Sequence, residues 1–233
     1  MNIKSLFTAV AFAAALSAGA TTFVSAGPSR QILARAALGT GTVTLWRAGS
    51  HFGATIDVAA LSSLPDRETR VDLPATAIAP FRLVEIDWHP HGHEPKGVYD
   101  VPHFDAHFYT IEQSERNAIE GSPPGVAPRP AGDLVPQGYV SDGSVVPQMG
   151  MHYVPAAAPE LHGKPFMATE IFGYNGSGKL IFVEAMFSRR FTDARGSFSS
   201  PVPHPAGVKV PLPDSMSVSR NPQTGGYDIA LSK

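Results

Sequence analysis

Hydrophobic positions along this chain recur mostly at strand spacing. Thr40–Trp46 alternates apolar and polar residues and is rich in β-branched side chains, which predicts a strand. Phe81–Trp88 predicts a second strand, running straight into a histidine-rich loop, and the aromatic, β-branched run from His103 to Ile111 a third. Phe166–Tyr174 and Lys179–Phe187 flank Asn175-Gly-Ser-Gly178, the clearest hairpin in the sequence. Short strands are expected near Val208–Val210 and Tyr227–Ile229. Two segments depart from this pattern. Ile56–Leu64 has apolar residues at 56, 60, 61 and 64 with Pro65 just beyond, the spacing of a short helix. Ser114 is placed to cap a second short helix through Ile119, ended by Gly121. Residues 121–136 read as a proline-rich surface loop inside one sheet system. The expected fold class is mainly β, a sandwich or barrel-like arrangement of antiparallel sheets with one or two short helices.

The first residues change the picture of where the domain begins. Lys4 precedes an apolar run from Leu6 to about Leu16, and Val24-Ser25-Ala26 offers a small-residue cleavage site. Residues 1–26 are therefore expected to be a signal peptide, too short in its apolar core to span a bilayer, and residues 27–233 a single β-rich domain that is periplasmic or secreted. Removing that segment deletes one lysine and no acid, taking the formal net charge from −2 to −3. Neither that charge nor any basic run suggests nucleic acid or a membrane surface as a partner. A homo-oligomer and a small-molecule ligand are left open. The chain has no cysteine, which removes disulfides, thiolate metal sites and cysteine nucleophiles together. A metal would have to be held by His, Asp, Glu or backbone oxygen.

Candidate chemistry concentrates between His89 and Tyr109, which contains five of the nine histidines. On a strand, His103, Asp105, His107 and Tyr109 share one face, and Phe104, Ala106 and Phe108 the other. The second is a core face; the first points to a cavity or a metal. The rival reading, a helix, would also align His103 and His107, at i and i+4. On a strand these two histidines are ~13 Å apart along the chain direction, so further ligands are needed. His152 sits among apolar residues in Met149-Gly-Met-His-Tyr153, and Glu170 and Glu184 are each the only acid in a hydrophobic strand. A lone buried carboxylate is costly unless paired or coordinated. The expected metal ligands are His103, His107, His152 and Glu184, with His93, Glu94, Asp105 and Tyr109 as partners around them. His89 and His91 flank Pro90 and read as loop residues. His51, His162 and His204 read as surface or satisfied histidines, and Glu170 as a partner of Arg189 or Arg190. The run Gly173–Lys179 lacks the Ser or Thr of a phosphate loop, and no serine has a nucleophile-elbow context.

At these residues the sequence resembles a family of secreted bacterial proteins of unknown function. The similarity rests on His93-Glu-Pro-Lys-Gly97, Pro102-His-Phe-Asp-Ala-His-Phe-Tyr109, Met149-Gly-Met-His152 and Gly178-Lys-Leu-Ile-Phe-Val-Glu-Ala-Met186, with Leu38-Gly-Thr-Gly-Thr42 and Ala60-Leu-Ser-Ser-Leu-Pro65 in support. It implies a β-rich extracytoplasmic fold and carries no settled activity. Where that family is expected to have Glu-Pro-Met, this chain has Glu184-Ala-Met186, which keeps the carboxylate. A looser similarity to cupins fails on the order of ligands, since His-x-His followed three or four residues later by Glu is absent. The expected function is binding of a divalent metal, zinc first, through His and carboxylate ligands. A metal-free protein with a buried polar network and a metal-dependent hydrolase or lyase are the alternatives.

Overall fold

The computed structural model describes residues 29–233, so the expected signal peptide lies outside the described residues. Thirteen strands follow in order: β1 Gln31–Leu38, β2 Gly41–Ala48, β3 His51–Ile56, β4 Thr69–Pro74, β5 Leu83–His89, β6 His103–Tyr109, β7 Tyr139–Val140, β8 Met151–Pro155, β9 Ala168–Tyr174, β10 Leu180–Ser188, β11 Ser197–Pro201, β12 Ser215–Arg220 and β13 Tyr227–Ser232. Three short helices interrupt them: α1 Val58–Ser62, α2 Gln113–Asn117 and α3 Arg189–Asp193. The strands form two antiparallel sheets, ordered β1-β2-β3-β13-β12-β11 and β4-β5-β6-β10-β9-β8-β7. Neither sheet closes on itself, so the fold is sandwich-like and not a barrel. Among the described residues no helix is long and apolar enough to cross a membrane.

The inner face of the seven-stranded sheet supplies Val84, Ile86, Phe104, Ala106, Phe108, Val183 and Ala185, which join Leu45, Phe52, Val218, Ile229 and Leu231 of the other sheet in one core. Phe52 joins the two sheets, its ring 6.2 Å from that of Phe108. A second, smaller core lies on the outer face of the same sheet, where Leu83, Tyr109, Ile171, Phe182 and Met186 are covered by Tyr99, Ile111 and Phe166. With both faces covered, every residue of β6 and β10 is buried. That explains why β10 reads as a nearly continuous apolar run.

Several expectations need correction. Ile56 ends β3, so the helix after it is α1 alone, begun by Asp57, whose side chain accepts a hydrogen bond from the Ala60 amide. Ser114 is not a cap: α2 starts one residue earlier, after Glu112, without a side-chain cap. Val208–Val210 is not a strand. Its Val208 amide closes a turn on the Pro205 carbonyl, and the surrounding Pro205, Pro211 and Pro213 cannot donate to a ladder. Strands β11 and β12 alternate correctly, with Met216 and Val218 buried, but so much serine leaves too little apolar signal to read as strands. In β1 a register shift between Ile32 and Ala34 breaks the alternation.

Candidate metal centre

The site is built on the outer face of β5, β6 and β10. Antiparallel pairing places Glu85 beside His107, Asp87 beside Asp105 and His89 beside His103. On the opposite side of β6, Glu184 lies beside His107 and Ser188 beside His103. Two carboxylates directly opposite each other, such as Asp87 and Asp105, are unfavourable without cations nearby, and both are only 3% exposed. Each acid must therefore find a cation of its own.

Among the described residues, three groups of side chains bring donor atoms within 4.8 Å of one another: His89, His93, His103 and Asp105; His107, His152 and Glu184; and Glu85, Asp87 and His107. The third is already served by arginines. Arg116 of α2 contacts Glu85, and Arg70 of β4 lies 3.1 Å from both Glu85 and Asp87. Burial and the Asp87 charge push the Glu85 carboxyl up to about 9, against Arg116 and Arg70.

In the first group, three imidazole Nε2 atoms converge on one carboxylate. Nε2 of His89 and of His93 lies 3.2 Å from Oδ2 of Asp105, and Nε2 of His103 lies 3.2 Å from its Oδ1. The opposite ring nitrogens are fixed by the backbone: Nδ1 of His103 donates to the Val101 carbonyl and Nδ1 of His93 to the Glu94 carbonyl, both at 2.7 Å. On His103 that choice of tautomer leaves an Nε2 lone pair aimed at an anion, whereas Nε2 of His93 donates to Asp105. Despite the short distance, Nε2 of His103 and of His89 has no hydrogen-bond partner among the described residues. Lone pairs facing a carboxylate repel unless a proton or a metal ion lies between them. A backbone carbonyl on the far nitrogen is also how metal-bound histidines are commonly oriented.

The loop between β5 and β6 delivers His93. Gly92 adopts φ +70°, where a Cβ would lie 2.2 Å from the Tyr99 carbonyl oxygen, and the His93 amide donates to that same carbonyl. Tyr99 packs 4.9 Å from Phe166, and Phe166 lies 5.8 Å from the His103 ring. The result is a covered centre with one open side: His103 and Asp105 side chains are 0% and 4% exposed, that of His93 38%. Burial alone would raise the Asp105 carboxyl, but the facing His103, His89 and His93 rings hold it well below the usual carboxylate range. Burial works against protonation of His89 and His93, yet Asp105 outweighs it and raises both.

The second group continues along β6. Nε2 of His107 lies 3.5 Å and Nε2 of His152 3.9 Å from Oε2 of Glu184. Nδ1 of His107 faces Asp87 at 3.5 Å and Glu85 at 3.8 Å. Burial lowers His107 well below its ordinary value and His152 to about 4, so both rings are neutral at neutral pH. Burial, together with the charges of Asp105, Asp87 and Glu85, raises Glu184 well above the carboxylate range.

Of the four ligands expected from sequence, His107, His152 and Glu184 come together, whereas His103 belongs with Asp105 and His93. His89 ends β5 and points into the same group; its signal was the period-two series Glu85, Asp87, His89, which extends the strand by one residue. Glu94 stands apart, its exposed carboxylate accepting the Lys96 amide at 2.8 Å. Tyr109 is buried and stacks on His107 with ring centroids 5.4 Å apart. His91 is solvent-exposed near Asp66. Glu170 does not meet Arg189 or Arg190; it lies across from Ala185 and accepts a 2.5 Å hydrogen bond from the Tyr139 hydroxyl. Neither the family models, the curated proteins nor the solved structures contain a match to this chain.

Proposed function

We propose that this is an extracytoplasmic protein that binds a divalent cation through His89, His93, His103 and Asp105. The observation that carries this reading is the convergence of three Nε2 atoms on one buried carboxylate, with Nδ1 of two rings tied to backbone carbonyls. Three imidazoles and a carboxylate without a thiolate suit zinc first, with manganese, iron and copper as competitors. Four protein donors complete a tetrahedral shell, which suits holding an ion in a structural or storage role more than activating water. The signal-like N-terminus and the resemblance to a secreted family support the extracytoplasmic assignment.

Protein purified without added metal is expected to contain a first-row divalent ion by elemental analysis. Zinc at about a thousandfold over its Kd should stabilise the fold by about 4 kcal/mol. For a domain of this size that raises Tm by on the order of 10 °C, and a chelator should reverse the rise. Absence of bound metal, with melting indifferent to zinc and chelator, would sink the proposal.

Proton release gives a second check. His89 and His93 are raised above the ordinary value of 6.5, so at pH 6.5 each is more than half protonated in the metal-free fold. Zinc binding at that pH should therefore expel more than one proton, and apparent affinity should climb towards pH 8 as fewer protons compete. Calorimetry in buffers of different ionisation enthalpy measures this directly. Release near zero at pH 6.5 would mean that these two rings are not ligands.

A further inference from the structure

The buried outer face of the seven-stranded sheet holds four carboxyl groups, on Glu85, Asp87, Asp105 and Glu184, none more than 3% exposed. Arg70 and Arg116 cover the first two. Asp105 belongs to the centre described above. Glu184 remains, and among the described residues only imidazoles face it within ion-pair distance. Its Oε2 and the Nε2 of His107 have no hydrogen-bond partner there, although both side chains are only 1% exposed. They are unpartnered polar atoms aimed at a common point, which costs stability unless a proton or a cation lies there.

The surroundings orient these atoms as a metal site requires. Nδ1 of His107 faces the Asp87 and Glu85 carboxylates, and these are held by the two guanidiniums. A proton on Nδ1 is thereby favoured, and the Nε2 lone pair is turned towards Glu184 and His152. The Asp87 charge thus biases the ring from outside through its field, since Nδ1 makes no hydrogen bond to either carboxyl group. The Phe182 ring lies 4.8 Å from His107 and 5.3 Å from His152, an apolar wall against both imidazoles.

From this geometry we infer that His107, His152 and Glu184 form a second metal site, which loads independently of the first and differs from it in kind. It has three protein donors, not four, and His152 reaches the surface with a quarter of its side chain exposed. A fourth position is thus left for water or a small anion, entering along the His152 edge. The two sites share no ligand. The first offers four protein donors and the second three, which gives the protein one centre that holds an ion and one that can exchange a ligand.

Zinc titration of the metal-stripped protein, followed by native mass spectrometry, should show two ions bound. His152→Ala and Glu184→Gln should each leave one; Asp105→Asn should remove the other. His152 is partly exposed, so its variant is the one expected to keep the fold, and its melting curve verifies that. With cobalt in place of zinc, azide should change the visible spectrum of the wild type and of Asp105→Asn but not that of His152→Ala. A single ion lost in Asp105→Asn and unaffected by His152→Ala would overturn the second site while leaving the first intact. A single ion with the opposite dependence would overturn the first and leave the second. Loss of both ions in a folded His152→Ala variant would show one shared centre and end the claim of independence.

Discussion

Asp105→Asn should abolish metal binding at the histidine cluster and lower stability by about 3–5 kcal/mol in the metal-loaded protein, the usual cost of removing one partner from a buried ionic group. For a domain of this length that is a fall in Tm on the order of 10 °C. The substitution keeps the shape and removes the charge on which the Nε2 atoms of His89, His93 and His103 converge, all at 3.2 Å. It also separates two physical accounts. If the cluster were a network of neutral rings without metal, an asparagine amide could donate to an Nε2 lone pair, and the variant would be tolerated or more stable. If the ion holds the group together, the amide cannot replace the anion. Denaturant unfolding with and without zinc, alongside metal analysis, distinguishes the two. Asp66→Asn, at a 92% exposed side chain, is the control and should change little. Because the Asp105 carboxyl is held low, its contribution is present above the ordinary value near 4 and lost as pH falls through the depressed one. In the metal-free protein the difference between wild type and variant should therefore shrink only in strong acid.

Arg116→Met should be nearly as damaging, without touching a proposed ligand. Arg116 is 1% exposed, contacts Glu85 and lies over the Tyr109 ring, 5.3 Å from its centroid. Removing it leaves Glu85, which is fully buried, with only the partly exposed Arg70. The expected loss is about 3 kcal/mol at pH 9, where the Glu85 carboxyl ionises. Adding Glu85→Gln should restore part of it, because the uncompensated charge is then gone; a double-mutant cycle reads that coupling. Here the pH dependence has the opposite sign from that of Asp105. The Glu85 carboxyl is raised to about 9, so the folded state keeps its proton after the unfolded chain has lost it. Stability linked to this group falls as pH rises from about 4 to about 9. Arg116 opposes that rise, so the variant should lose more at pH 9 than at pH 5. Equal losses at both pH values would mean that Arg116 acts through packing, not through Glu85.

These effects depend on neighbours that are far away in sequence, and that is where legibility changed. Alternation along one strand is a local property. From it, 166–187 reads as a hairpin, and β6, once taken as a strand over the rival helix, has a core face of Phe104, Ala106 and Phe108 and a chemical face of His103, Asp105, His107 and Tyr109. The same local rule applied one residue further along β5 would have included His89. The mainly β class followed from the same source. Arg116 gave no such signal, because a single arginine in a five-residue helix reads as a surface residue.

The grouping of ligands was decided by pairing order and register. Placing β5 on one side of β6 sets His89 against His103 and Asp87 against Asp105; placing β10 on the other sets Glu184 against His107 but only Ser188 against His103. That register divides the four residues expected to act together between two side-chain clusters. Cross-strand neighbours follow from which strands meet and at what offset, a contest settled by burying the whole apolar face at once. No short stretch of sequence contains that information. Burial of the chemical face was likewise tertiary, since it needs Tyr99 and Phe166 folded over the sheet. The sequence by itself determined which side chains β6 presents; only the packed sheets decided what those side chains face.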